Sequence, residues 1–566
     1  MSSTCKCCLD LKLRKDVVTK DRNASSCLID RRSFIQMASM LAAGSALGLY
    51  PMGCGVETPI PCLGPAAPPV PVPGMTYIRA SQIGCALDCN LENGRNKHTG
   101  GAATDDGPII NAAMAGATAS NPITLIIDGS ALVSGLFLPA GGYWSIAGLG
   151  CGTGFFIKKG ANNDCIHNGP PNAAIPFDPG PPVPARGKNV SLSNFTVNGN
   201  RGDGSSGDST TGTPQGITNK VWYCGINLMN LDNITIEKIV VVNTPAYNMR
   251  LSNVGNVSVS GCVLQGFHVN NDGLHFDGPA NDITISNCDF KTADDSIALN
   301  APEGYSGNIS RVTVTGCTFN SLSLMRLYTT GGGPKFAIDT VNVSNCSGTA
   351  SAAAFLFGLT FLSNPASVAS LSVSDCTVTA PCVLGVSENF GSIALRNITF
   401  IPWASSNIWN QDVPNHVCAF FRPPPIYAGV TCIGSNLSFE NCTIQRNSDI
   451  SAAAVILEYN STIDNLTFNG FDMQDAGSYS AVPELLNIGS GSIDQLSLNS
   501  TNSSNVKICT SPSGFSSIGS VAGGGVLATG WEFPDIVMAN NVPYISANSG
   551  LPSIKINGVV ESYPQS

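Results

Sequence analysis

Asn256–Cys262 reads NVSVSGC and Asp282–Cys288 reads DITISNC. In each, aliphatic and hydroxyl side chains alternate, so a strand made from them has one apolar face and one Ser/Thr face. A turn residue and a cysteine close the phrase. It recurs as NVSLSNF at Asn189–Phe195, NITIEKI at Asn233–Ile239, RVTVTGC at Arg311–Cys317, VNVSNC at Val341–Cys346, SLSVSDC at Ser370–Cys376, NLSFENC at Asn436–Cys442 and NLTFNGF at Asn465–Phe471. The central repeats end at Cys262, Cys288, Cys317, Cys346 and Cys376, spaced 26, 29, 29 and 30 residues apart. Repetition at such a period marks a solenoid. Its units are strands joined by turn residues with no helical period, which predicts an all-β, single-stranded parallel β-helix.

That reading accounts for many of the 21 cysteines. Residues at the same corner of successive coils stack, so the central cysteines should form an internal ladder of small apolar side chains with free thiols. The many Asn-x-Ser/Thr triplets follow from Asn at the turn and Ser or Thr on the outer face, without glycosylation.

Composition agrees with an ordered, largely buried chain. Of 566 residues, 43% are hydrophobic and only 12% charged, with 60 glycines for turns. The formal charge is −10. With no basic tract and no zinc-finger spacing, nucleic acid is excluded as a partner. A chain so poor in Lys and Arg would need local cations to hold an acidic polymer.

Residues 1–54 read as a leader. Arg31–Arg32, Phe34 and Ile35 precede an apolar run from Met37 to Tyr50, an order that resembles a twin-arginine export signal. It implies a bacterial protein exported already folded, to the periplasm, the cell surface or the medium. Cys54 after Gly53 resembles a lipoprotein cleavage site and would carry a lipid anchor. Residues 55–75 are Pro-rich and read as a stiff linker. Residues 76–566 form the solenoid, with no assignment for the end beyond about residue 500. Near its start, GAATDDGPIINAAMAGA (Gly101–Ala117) predicts a short helix over Pro108–Ala115, capped by Asp106. That helix would plug the open end of the coils.

Aligning coils by their inward aliphatics pairs Ile226/Leu228, Met249/Leu251, Leu274/Phe276, Ile297/Leu299 and Met325/Leu327. The residue between each pair then points outward, giving the column Asn227, Arg250, His275, Ala298, Arg326. In the same alignment Asp272 stacks on Asp295, about one coil or ~5 Å away, with Asp294 alongside. Three carboxylates therefore meet on one face, flanked by two arginines and a histidine. Clustered like charges raise at least one pKa and recur where chemistry needs an acid beside a base. A bound calcium is the competing use of such a ladder; the flanking arginines argue against it, and we expect neither metal nor cofactor.

Asn270-Asn271-Asp272-Gly273, followed one coil later by Asp294-Asp295, resembles the N-T-D-G and D-D motifs of glycoside hydrolase family 28, the polygalacturonases, within the pectate-lyase-like superfamily. The resemblance implies a right-handed β-helix and an inverting hydrolase of a pectin-like or other acidic, hydroxyl-rich polysaccharide, working as a monomer. It implies that Asp294 protonates the leaving oxygen while Asp272 and Asp295 hold and deprotonate water, an acid–base pair normally ~6.5–9.5 Å apart. Asn270, Arg250, His275 and Arg326 are the candidates to bind substrate; the alternative for the two arginines is that each only pairs with the nearby aspartates and keeps the cluster ionised. Two family motifs are absent. Leu322 stands near the place of the G-H-G histidine, and Ala352–Leu359 holds no cation where R-I-K would fall. A uronan lyase or epimerase, and a glycan-binding solenoid without chemistry, are the alternative readings.

Overall fold

Each repeat of the phrase is one rung of a right-handed parallel β-helix. The structure, a computed structural model, describes residues 60–499 apart from stretches 170–182, 202–222, 330–335, 359–366, 404–416, 423–430, 477–483 and a few shorter gaps, together with short strands between 518 and 560. The export signal around Arg31–Arg32, Cys54 and most of the C-terminal end lie outside the described residues. Among those described, the strands form one long, almost wholly parallel sheet of 26 strands and a second of 12. Val257, Ser258 and Val259 face Ile283, Thr284 and Ile285, which face Val312, Thr313 and Val314 in the next coil. The aliphatic partners of each rung are buried and join one continuous core.

The turn residue of the phrase has a backbone reason. Gly261, Asn287, Gly316, Asn345 and Asp375, each preceding a ladder cysteine, have φ of 60°, 53°, 65°, 53° and 55°. Only Gly, and to a lesser degree Asn or Asp, enters this left-handed region cheaply. The chain turns there and delivers the next residue inward. Cys262, Cys288, Cys317, Cys346 and Cys376 are buried and free, as their shared corner predicts. Each thiol donates to the carbonyl two residues earlier, for example Cys346 to Ser344 at 3.3 Å and Cys376 to Ser374 at 3.1 Å. The stack therefore leaves no thiol unsatisfied in the core.

The helix at the N-terminal end runs Gly107–Met114 and buries Ile110 and Met114 against the first coils. Its cap differs from the sequence expectation. Asp106 stands at the cap position but makes no capping hydrogen bond. Its carboxylate is buried and accepts instead from the backbone N–H groups of Ala86 and Leu87, at 2.7 and 2.9 Å. Asp105 takes over, accepting from Gly107 N–H at 3.1 Å. Upstream, Cys62 is joined to Cys151 by a disulfide, and Ala66 N–H donates to the Leu149 carbonyl at 2.9 Å. The later part of the Pro-rich segment is thus fastened along the coils.

Candidate active site

The outward column falls where the alternation predicts. Asn227 faces Arg250, Arg250 faces His275, His275 faces Ala298 and Ala298 faces Arg326. Asp272 and Asp295 lie on neighbouring rungs, the Asp295 N–H donating to an Asp272 carboxylate oxygen at 3.3 Å. Asp294 sits beside them. One oxygen from each of the three carboxylates lies within 4.8 Å of the other two. That is tighter than the ~6.5–9.5 Å expected of an inverting pair, because Asp294 and Asp295 are chain neighbours and Asp272 is a single rung away.

The column points out of the coil, yet it is buried. Arg250 and His275 are each 1% exposed and Arg326 is 5% exposed. Buried charge is tolerated only when paired, and pairs account for most of this layer. His275 Nδ1 lies 2.7 Å from Asp272 Oδ2. Its Nε2 lies 3.0 Å from Asp277 Oδ1 and 3.1 Å from Glu303 Oε2. The Tyr247 ring covers the imidazole in a stack, with centroids 3.8 Å apart. Arg250 Nε donates to Asp277 Oδ2 at 2.8 Å. Arg326 Nε donates to Asp295 Oδ2, and Ser323 Oγ donates to Asp295 Oδ1 at 2.6 Å. Ala298, between the two cationic rungs, is small enough for Arg326 to reach across to Asp295.

These partners separate the carboxyls by protonation. Burial would lower the His275 pKa, but its hydrogen bonds to Asp272, Asp277 and Glu303 outweigh this and hold it well above its ordinary value. The ring is an imidazolium with both N–H groups committed to carboxylates. Burial raises the Asp272 pKa, and the His275 hydrogen bond and charge offset this only in part. Asp294 stands well above the usual carboxylate range, first from burial and then from the charges of Asp295 and Asp272. Its Oδ1 is buried with no hydrogen-bond partner, and the nearest cation atom, Arg326 Nη2, is 3.8 Å away. The cluster therefore offers a neutral carboxylic acid beside a carboxylate held by a cation on each of two rungs. That division of protonation states is what acid–base chemistry on one bond requires.

The structure shows the flanking side chains engaged with the carboxylates, the alternative use of this column. His275 has no ring nitrogen left for a sugar. Arg250 is sealed behind it on Asp277. Arg326 is the charge partner of Asp295. Asn270 occupies a left-handed turn at φ 58° before the cluster. Its neighbour Asn271 is buried and pins the loop, donating to Thr244 Oγ1 at 2.9 Å and the Ala246 carbonyl at 2.7 Å. Leu322 occupies the rung position stacked on Asp294, its N–H donating to the Asp294 carbonyl at 3.0 Å. Asp277, Glu303, Tyr247 and Ser323 were not anticipated. Asp277 is legible in hindsight, lying two residues after His275 on the same strand and hence on the same face. Glu303 and Tyr247 come from turns, where no periodicity points to them.

Residues 182–354, the span that holds this whole network, match the family described as glycosyl hydrolases family 28. No curated protein sequence matches the chain. Among solved structures it is similar to a family 28 exopolygalacturonase from Yersinia enterocolitica, at 11% identity and a TM-score of 0.48, covering 74% of this chain and 78% of that one. A polygalacturonase from Erwinia carotovora is similar at 13% identity and a TM-score of 0.36, with 72% and 94% covered. The A-module of a mannuronan C-5 epimerase from Azotobacter vinelandii is similar at 12% identity and a TM-score of 0.40, with 86% and 100% covered.

Proposed function

We propose that this protein is a glycoside hydrolase that cleaves a pectin-like or other acidic, hydroxyl-rich polysaccharide through Asp294, Asp272 and Asp295. The observation that carries the reading is the half-buried Asp294 carboxyl, whose Oδ1 accepts no hydrogen bond, beside two carboxylates that are each held by a cation. Asp294 serves as the general acid, giving its proton to the departing glycosidic oxygen. Asp272 and Asp295 orient a water and take its proton as it attacks the anomeric carbon. The match of residues 182–354 to family 28 supports the same class of reaction.

Two features bear on stereochemistry. The short separation within the cluster lies nearer the ~5–5.5 Å ordinarily seen in retaining enzymes. Retention, however, needs a carboxylate oxygen free to bond to carbon. Asp295 has an oxygen on Arg326 and the other on Ser323, and Asp272 has an oxygen on His275 and the other on the Asp295 N–H. Carboxylates so engaged are better suited to positioning water than to attacking, so we assign inversion. Proton NMR of the first product released reads the anomer directly.

Product analysis on a panel of polysaccharides tests the function. Hydrolysis gives new reducing ends without the unsaturated product that absorbs in the ultraviolet. Appearance of that chromophore would assign a lyase, and binding with no new ends would remove the enzymatic reading. We also propose that Arg31–Arg32 directs folded export; replacing both with Lys is expected to retain the protein in the cytoplasm.

A further inference from the structure

Arg422 lies in the same outward column as Arg250, His275 and Arg326. Arg326 faces Leu356, Leu356 faces Gly385 and Gly385 faces Arg422. These three rung steps set it ~14 Å beyond Arg326, about three sugar units along the coil axis. It is 4% exposed, no more accessible than Arg326 at 5% or Asp272 at 4%. Its surroundings are unlike theirs. Ala353, Leu356 and Cys382 form one small apolar cluster on this outer face, and Ala419, Ala453 and Ile456 form another.

Among the described residues Arg422 has no carboxylate partner. Its Nη1 donates to the Val417 carbonyl at 3.0 Å, and its Nε is buried with no hydrogen-bond partner. The neighbouring Cys382 thiol supplies no counter-charge. Burial pushes that thiol up to about 12 even with the guanidinium beside it, so it stays neutral in neutral solution. An unpaired buried cation costs several kcal/mol in general, and a guanidinium's planar fork fits a carboxylate in two parallel hydrogen bonds.

We infer that Arg422 is an anion-binding residue of the substrate cleft, gripping a carboxylate of an acidic glycan about three coils beyond Arg326. This rests on the glycan-hydrolase reading for the identity of the ligand. It gives the chain a cation for an acidic sugar at a place other than Ala352–Leu359, where none is present.

The test uses the full chain carrying Asp294→Asn to stop turnover, with and without Arg422→Gln. Binding is measured by calorimetry to a galacturonate hexamer, its carboxyl-reduced neutral counterpart, and a galacturonate trimer. Arg422→Gln is expected to weaken hexamer binding by about tenfold or more, and to leave the reduced hexamer and the trimer unchanged. Equal hexamer affinity in both proteins, no hexamer binding to either, or an equal loss for the reduced hexamer or trimer would overturn the inference. Thermal melting without ligand gives a second reading. Arg422→Met is expected to raise Tm, because it removes a buried charge that has no carboxylate partner among the described residues. A marked fall in Tm would show that the cation has an internal partner and would overturn the inference. If the wild-type chain cleaves no glycan while the hexamer difference persists, the hydrolase reading fails and the role of Arg422 stands.

Discussion

Two stretches of the same outer face, built on the same coil, carry opposite chemistry. From Asn227 to Arg326 the outward column and its neighbours hold Arg250, His275, Asp272, Asp277, Asp295 and Glu303 in a continuous layer of buried ion pairs. From Ala353 to Ile456 the outer positions Ala353, Leu356, Cys382, Ala419 and Ile456 are buried and apolar, and the buried charged side chains among the described residues there are Glu388, Arg422 and Arg446. The inward face does not change across this border. Val312, Val314, Val341, Val343, Leu371 and Val373 continue one core. The coil is therefore specified by the inward residues and the left-handed turns alone, and the outward rows are free to differ. A layer of buried charge is costly even when well paired. The paired charges are densest on the rungs of Arg250, His275, Ala298 and Arg326, with His167 and Asp164 on the rung before Asn227, and we read that region as the working half.

The sharpest way to break this comparison is to neutralise the acid. Asp294→Asn is expected to lower kcat by about 10²–10⁴-fold with folding intact, as for loss of a general acid, whereas Cys382→Ala in the apolar half should leave kcat unchanged. Comparable losses from the two would erase the distinction between halves. A somewhat smaller effect, read as stability, is expected at His275. His275→Gln strips Asp272, Asp277 and Glu303 of their shared cation and should cost about 3–5 kcal/mol in urea unfolding, as for one partner of a buried pair.

The pH dependence at this residue has a definite sign. The native His275 pKa is raised, so its stabilisation is fully present below the unfolded value of about 6.5 and is lost as pH rises through the native value. The gap between wild type and His275→Gln should therefore narrow in alkali. In the same variant Asp272 loses its cation, and the acid limb of the pH–rate profile should move to higher pH. Smallest of the three is Leu356→Ala in the apolar half. Its cost of about 2–3 kcal/mol is a packing loss, independent of pH and without effect on the acid limb. A pH-dependent cost at Leu356 would mean that the charged layer extends further than the paired rungs.

The strand phrase made the coil legible, because alternation and the left-handed turn before each cysteine are local properties written in every repeat. It also brought Asp272, Asp294 and Asp295 together, since a fixed period turns sequence spacing into stacking. What it could not convey was depth. The alternation places Arg250 and His275 outward, and outward suggested contact with substrate. Tyr247 and Glu303, which cover His275, come from turns with no repeat to align. Asp106 illustrates the same limit at the other end. Its position before a helix is a capping position, yet the carboxylate is drawn to the free N–H groups of Ala86 and Leu87, partners that only the folded chain brings within reach. Pairing across turns is tertiary information, and the site is built largely from it.

The central claim is that Asp294 is a neutral acid beside two carboxylates that are each paired with a cation. Carbon-13 NMR of the intact protein, labelled at aspartate and assigned with Asp294→Asn, follows the Asp294 carboxyl through a pH titration without requiring a substrate. Asp294 is expected to remain protonated when the exposed aspartates have ionised, titrating well above the ordinary value of about 3.9, and Arg326→Gln to push it higher still. A titration of Asp294 at or below that ordinary value would contradict the account.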